Sequence, residues 1–179
     1  MATQKLQLIM DAFPRGDQPY RHWLSRRWSD DGQTALVIAI NPNTATDSKD
    51  DDTTRFLVRT LRQLDGEFAC GGYILVNCCD RRSGKPEELE RLPMPSSPGN
   101  LETIRQKLQE CDFVAASWGT GKYGGPVPEM RQRVAELMRE SGKRVISFHP
   151  EGSPIYCSQR NKNSKGRWSS TPVLWNGEV

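Results

Sequence analysis

The sequence predicts a three-layer α/β/α domain around a central four-stranded, mostly parallel sheet. Four short apolar runs, at residues 35–41, 73–76, 111–117 and 143–148, have the length and composition of buried strands. Helical periodicity fills the intervals between them, the alternation expected of parallel strands joined by right-handed crossovers. The runs finish in Asn41-Pro42, Asn77, Trp118-Gly119 and His149-Pro150. In open parallel sheets ligands gather at that carboxyl edge, so the four endings predict a site.

At 179 residues the chain is expected to form a single domain with a substantial core. It divides into an N-terminal aromatic and basic segment (1–33), the sheet core (34–150) and a basic C-terminal segment (151–179). No apolar run approaches the ~20 residues of a membrane helix, and the N-terminus lacks the order of charges, apolar core and cleavage site of a signal peptide. Five cysteines without a C-x-x-C pair, two of them adjacent at Cys78 and Cys79, read as free thiols in a reducing cytoplasm. Neither a metal nor a cofactor is expected. A formal charge of +3 says little by itself; its distribution decides any nucleic-acid argument.

Taken in order, residues 18–33 interleave Tyr20, Trp23 and Trp28 with Arg21, Arg26 and Arg27. This suits a short hairpin or helix that packs its tryptophans on the sheet, with its arginines either solvated or in contact with phosphate. Residues 35–41 form the first buried strand. Pro42 cannot donate to a ladder, and Asn41 and Asn43 favour a turn. The acidic run at Asp50, Asp51 and Asp52 precedes a helical pattern (Phe56, Leu57, Thr60, Leu61, Leu64). Those carboxylates would cap the helix, or one would face the cavity beside Asn41 as a base. Gly71-Gly72 opens the second strand, and Arg81-Arg82 follows Asn77 in a basic loop.

Pro86 starts a short helical turn, the prolines of residues 93–98 mark an exposed linker, and Leu101, Ile104 and Leu108 stripe a second helix over residues 100–110. The glycine-rich stretch after Trp118 lacks the G-x-x-x-x-G-K-[ST] spacing, which excludes a phosphate loop of that kind. Met130, Val134, Leu137 and Met138 mark a helix over residues 128–141, stopped by Gly142. Beyond His149, residues 158–168 carry Arg160, Lys162, Lys165 and Arg167 with no acid until Glu178. That composition belongs to a solvated tail or to a segment that tracks nucleic-acid phosphates.

Two resemblances follow from these motifs. Residues 39–42 (AINP), 75–77 (LVN), 118–119 (WG) and 149–156 (HPEGSPIY) resemble, in order and spacing, the motifs of the uracil-DNA glycosylase superfamily, especially its mismatch-specific branch. Ala39 stands where that branch has glycine, and Glu151 and Gly152 are inserted before Ser153-Pro154. A whole-chain resemblance is to a prokaryotic and phage family, domain of unknown function 1643. Its Y-R-x-W-L-x-R-x-W, I-x-x-N-P-x-T-A, D-D-x-T and W-G motifs are matched at residues 20–28, 38–45, 51–54 and 118–119.

The glycosylase resemblance implies a uracil-DNA-glycosylase-like fold and a hydrolase that flips a damaged or modified base from DNA and excises it, leaving an abasic site. Asn41 would orient water through its side-chain carbonyl, with Asp51 or Asp52 as a stronger base, and His149 would donate to the leaving base. Asn77 would read a pyrimidine edge, with Pro42, Asn43, Trp118 and Gly119 completing the pocket. Ile155 or Tyr156, after Ser153, would fill the gap left by the base. Arg26, Arg81, Arg82, Arg160, Lys162, Lys165 and Arg167 would hold phosphates, and Trp168 would stack. The phage association makes a modified pyrimidine of viral DNA, and a role in antiviral defence, the expectation. DNA is the expected partner, and a monomer the expected state. The alternatives are a non-catalytic nucleic-acid- or nucleotide-binding protein and a small-molecule nucleoside hydrolase.

Overall fold

A computed structural model describes residues 8–179; residues 1–7, the start of the N-terminus judged above to lack a signal peptide, lie outside the described residues. The chain is a mixed α/β protein. Its sheet has seven strands among the described residues rather than the four expected: β1 (Ile9–Phe13), β2 (Trp23–Arg27), β3 (Gln33–Ala39), β4 (Cys70–Asn77), β5 (Phe113–Ala116), β6 (Val145–Ser147) and β7 (Val173–Leu174), in spatial order β1-β2-β4-β3-β5-β6-β7. The four expected apolar runs supply the parallel strands β4, β3, β5 and β6. The other three pair antiparallel: β1 with β2, β2 with β4, and β7 with β6. The sheet therefore extends into both terminal segments. The aromatic and basic block of residues 18–33 is not helical: it supplies β2, whose antiparallel partners are the preceding β1 and the central β4.

Alternation along the central strands explains why the sheet is covered on both faces. Ala35, Val37 and Ala39 of β3 join Tyr73, Leu75, Phe113 and Ala115 in one core. Leu36, Ile38, Ile40, Ile74, Val76, Val114 and Ala116 enter the other. Helix α1 (Asp52–Leu61) closes the first core with Phe56, Leu57 and Leu61. Helices α2 (Asn100–Glu110) and α3 (Val127–Glu140) close the second with Ile104, Leu108, Val134 and Met138. A short helix, α4 (Gln159–Asn163), begins at Ser158, whose side chain caps it. Burial of whole aliphatic side chains at about 1.5–3 kcal/mol each drives this layering.

β3 lies between β4 and β5, the strands that follow it in sequence. One crossover from β3 runs through α1 on the first face, and the next, through α2, returns across the second. The strand order thus reverses beside β3, the place where a doubly wound sheet opens a crevice at its carboxyl edge.

Candidate functional site

A cavity of about 780 Å³ occupies that crevice. Its floor is buried: Ile40 beyond β3, Trp118 beyond β5, and Ile155 from the loop after β6. Asn43, Gly84, Thr120, Gly121, Arg160 and Arg167 form an exposed mouth. Asn41, Ser83, Tyr123, His149, Tyr156 and Asn161 complete the walls. No aspartate or glutamate lines the cavity, and neither Arg160 nor Arg167 forms an ion pair among the described residues. Its unpaired charge is therefore positive.

Asn41 is oriented from behind. Its Nδ2 donates to the carbonyl oxygens of Ser83 at 2.8 Å and Pro42 at 3.1 Å, while Ser83 N donates back to the Pro42 carbonyl at 3.0 Å. With the amide nitrogen so engaged, Oδ1 has no partner among the described residues and remains an acceptor. His149 is oriented similarly. Glu151 N donates to His149 Nδ1 at 3.2 Å, which places the proton of the neutral ring on Nε2 and makes that nitrogen a donor. Ser147 Oγ accepts from His149 N at 3.0 Å, fixing the backbone where β6 ends. The cavity thus holds one oriented acceptor and one oriented donor.

Buried arginines hold the loop that carries Asn41 and Asn43. Arg82, only 11% exposed in its side chain, donates to the carbonyls of Asn43, Ala45 (3.0 Å), Gly16 (3.2 Å) and Gln18 (2.8 Å). Arg26 is fully buried and reaches Asp50 Oδ1 at 2.8 Å and the Thr46 carbonyl at 2.7 Å. Arg21 donates to the Ala45 carbonyl at 3.2 Å. Burial, reinforced by the Arg82 charge, lowers its guanidinium to about 10. On the opposite wall Arg131, also buried, donates to the carbonyls of Gly121 (2.8 Å) and Gly119 (3.4 Å) and lies 5.8 Å from the Tyr123 ring centroid. It pins the glycine-rich loop.

The loop after β6 is stitched down along its length. Residues 149–152 form a tight turn closed by Gly152 N donating to the His149 carbonyl at 2.9 Å. Gly152 has φ +79°, and a Cβ there would meet the Leu174 carbonyl oxygen at 2.4 Å, so the inserted Glu151-Gly152 pair needs its glycine. Gly119 N donates to the Pro154 carbonyl at 2.6 Å and Cys157 N to Ser117 Oγ at 2.9 Å. Ser147 Oγ donates to the Ser153 carbonyl. Tyr156 Oη and Thr53 Oγ lie 2.7 Å apart; burial raises the Tyr156 phenol, keeping it neutral.

Of the residues singled out from sequence, the cavity gathers Asn41, Asn43, Trp118, Gly119, His149, Ile155, Tyr156, Arg160 and Arg167. Pro42 is buried behind it and contributes its carbonyl. The acidic run lies outside. Asp51 caps α1, its Oδ1 accepting from Thr54 N (2.9 Å) and its Oδ2 from Ala45 N (3.2 Å), and Asp52 is exposed and paired with Arg55. Asn77 stands beside Ala39 in register, two residues behind Asn41, fully buried, with both polar side-chain atoms unpartnered. Trp168 stacks on Phe148 with centroids 5.0 Å apart, so its ring serves the core.

The expected phosphate contacts divide likewise. Arg26 and Arg82 are committed to the protein's own carbonyls and Asp50, which removes them from any outside partner. Arg81 is half-buried against Tyr20, and Lys162 and Lys165 are exposed but away from the cavity lining. Ser153 is buried, away from any DNA contact, and of the two expected wedges Ile155 is buried and Tyr156 is held by Thr53. Sequence reasoning missed Ser83, Tyr123, Arg131 and Asn161. Only Arg131 left a signal: it sits four residues after Val127 and three before Val134, on the apolar stripe of α3.

No helix is long and apolar enough to cross a membrane, and no cluster of three or more His, Cys, Asp or Glu side chains could hold a metal, both among the described residues. No curated protein and no solved structure matches the chain. A family model described as protein of unknown function (DUF1643) matches residues 21–165, the span from the first buried arginine to the basic loop at the cavity mouth. The chain belongs to that family.

Proposed function

We propose that the protein is a DNA glycosylase-like hydrolase that removes a damaged or modified base and leaves an abasic site. The observation that carries this reading is the orientation of Asn41 in the cavity wall, whose amide nitrogen is held by the Ser83 and Pro42 carbonyls while Oδ1 has no partner among the described residues. Such a carbonyl can accept from a water and aim its lone pair at an anomeric carbon. As the C–N bond breaks, its electron pair leaves with the base and the water oxygen bonds to the anomeric carbon. The proton this water sheds passes to the departing base anion or to solvent, since an amide carbonyl is too weak a base to keep it. His149 Nε2–H is suited to stabilise the resulting anion by donating to a base carbonyl oxygen. Arg160 and Arg167 at the mouth supply charge for the flanking phosphates. Tyr123 and Tyr156 offer aromatic faces to the base.

The motif order shared with uracil-DNA glycosylases, and a crevice at the carboxyl edge of parallel strands, support the same reading. Asp51 and Asp52 have no part in it, because their carboxylates serve the start of α1 and Arg55. A modified pyrimidine of phage DNA, and so a defence role, is the substrate this reading favours. The test is detection of free base by mass spectrometry after incubation with oligonucleotides carrying uracil, mismatched thymine, hydroxymethylcytosine or its glucosylated form. Release of one base by the wild type and not by Asn41→Ala supports the proposal. Binding without release of any base favours a non-catalytic nucleic-acid-binding protein.

A further inference from the structure

We infer that the cavity takes its nucleotide from a single strand, not by extruding it from an intact duplex. The inference rests on the nucleic-acid reading of the cavity given above, and three observations carry it. The first is the fate of the loop after β6. An enzyme that pulls a base from a duplex bears the unstacking cost, and a side chain that fills the vacated space offsets it. Here the residues in position to do so form the cavity wall. Ile155 is 5% exposed and packed in the first core, and Tyr156 is tied to Thr53. Projecting either would break the contacts of Pro154 with Gly119, of Cys157 with Ser117 and of Ser153 with Ser147. The large apolar side chains that are exposed among the described residues, Ile9, Phe13, Met94 and Leu174, do not line the cavity.

The second observation is size. A cavity of about 150 Å³ accommodates one six-membered aromatic ring, whereas this one measures about 780 Å³. It has room for a base with its sugar and phosphate. The third is the placing of charge. Arg160 and Arg167 line the same cavity as Asn41 and His149, while the arginines that would have extended a phosphate track across the protein, Arg26 and Arg82, are turned inward. A strand whose phosphates and base enter one cavity together, over aromatic walls, is the arrangement of single-strand binding.

The test is fluorescence anisotropy with three probes on the full chain: a labelled oligonucleotide, the same oligonucleotide annealed to its complement, and an unlabelled deoxynucleoside 5′-monophosphate as competitor. The single strand is expected to bind at least about tenfold tighter than the duplex, which must also be unpaired. Arg167→Ala is expected to weaken single-strand binding and flatten its salt dependence, with the melting temperature unchanged as the control for folding. Duplex binding as tight as single-strand binding overturns the inference, and so does a mononucleotide that competes as well as the oligonucleotide. Single-strand preference without base release from any substrate leaves this inference standing and removes the glycosylase reading. Absence of binding by all three probes removes both.

Discussion

Asn41 Nδ2 donates to the Ser83 carbonyl oxygen at 2.8 Å, joining the loop that follows β3 to the loop that follows β4. The bond spans 42 residues of sequence and decides which end of the amide is left for a ligand. Replacing Asn41 by alanine removes the oriented acceptor. Base release is expected to fall by about 10²–10⁴-fold, with a melting temperature within a few degrees of the wild type because Asn41 is only half-buried. Unchanged release by Asn41→Ala, in a folded protein, would contradict the role given to its carbonyl.

Asp51 provides the opposite case. Both carboxylate oxygens accept backbone N–H groups, and Thr54 reciprocates through its hydroxyl. Asp51→Ala is expected to cost about 1–2 kcal/mol of stability, as the loss of a helix cap does. Asp51→Asn retains an acceptor for the helix start and should keep most of the activity. A hundredfold loss of turnover in Asp51→Asn with α1 intact by circular dichroism would make this carboxylate a base.

Arg82 and Arg167 separate structural from ligand-facing arginine. Arg82→Ala removes a donor from four backbone carbonyls, of which, among the described residues, only that of Ala45 keeps another, in Arg21, and is expected to lower the denaturation midpoint. Arg167 lines the cavity and makes no side-chain hydrogen bond or ion pair among the described residues. Its alanine variant should leave that midpoint alone and reduce the slope of log affinity against log salt by about 1. Salt titrations paired with urea melts distinguish the two.

Asp80 is fully buried and gathers three donors: Ser97 N at 2.7 Å, Ser97 Oγ at 2.5 Å, and His22 Nδ1 at 2.6 Å. It thereby ties the chain before β2 and the start of α2 to the end of β4. Asp80→Ala removes the common acceptor of these part-buried groups, and a loss of roughly 1–3 kcal/mol is expected by urea denaturation. A change under 1 kcal/mol would show that the cluster does not secure these segments.

Buried thiols set the alkaline limit. Burial pushes Cys79 and Cys157 up to about 12 and Cys78 higher still. Above the ordinary value of 9.0 the unfolded chain releases protons that the folded protein keeps, so stability falls as pH rises. The urea midpoint should be insensitive to these groups below pH 9.0 and drop steadily above it. Native protein should offer a thiol reagent only the half-buried Cys70 at neutral pH, against five thiols in denaturant.

The parallel strands were legible because each is buried on both faces and reads as an unbroken apolar run, as in Ala35–Ile40. β1 and β2 were not, since IMDAF and WLSRR carry charges that only an antiparallel neighbour and a buried arginine network accommodate. Two-residue β7 has no pattern to detect. Asn41, Trp118 and His149 followed from the rule that strand ends deliver ligand groups. Asn77 obeyed the same pattern and still missed the cavity, because its register beside Ala39 keeps it within the sheet. Ile155 was expected to fill the gap left by an extruded base; the turn made by Glu151-Gly152 folds its loop onto the core instead. Ser83 and Tyr123 come from crossing loops whose paths no local periodicity encodes.

The most direct test is alkali-labile strand cleavage, measured under single-turnover conditions on a single-stranded oligonucleotide bearing one modified base. The wild type is expected to convert the substrate to abasic product, and Asn41→Ala and His149→Ala to lose that conversion while still binding. No abasic product from the wild type across the panel of modified bases, despite saturable binding, would contradict the proposed hydrolysis and leave a nucleic-acid-binding protein.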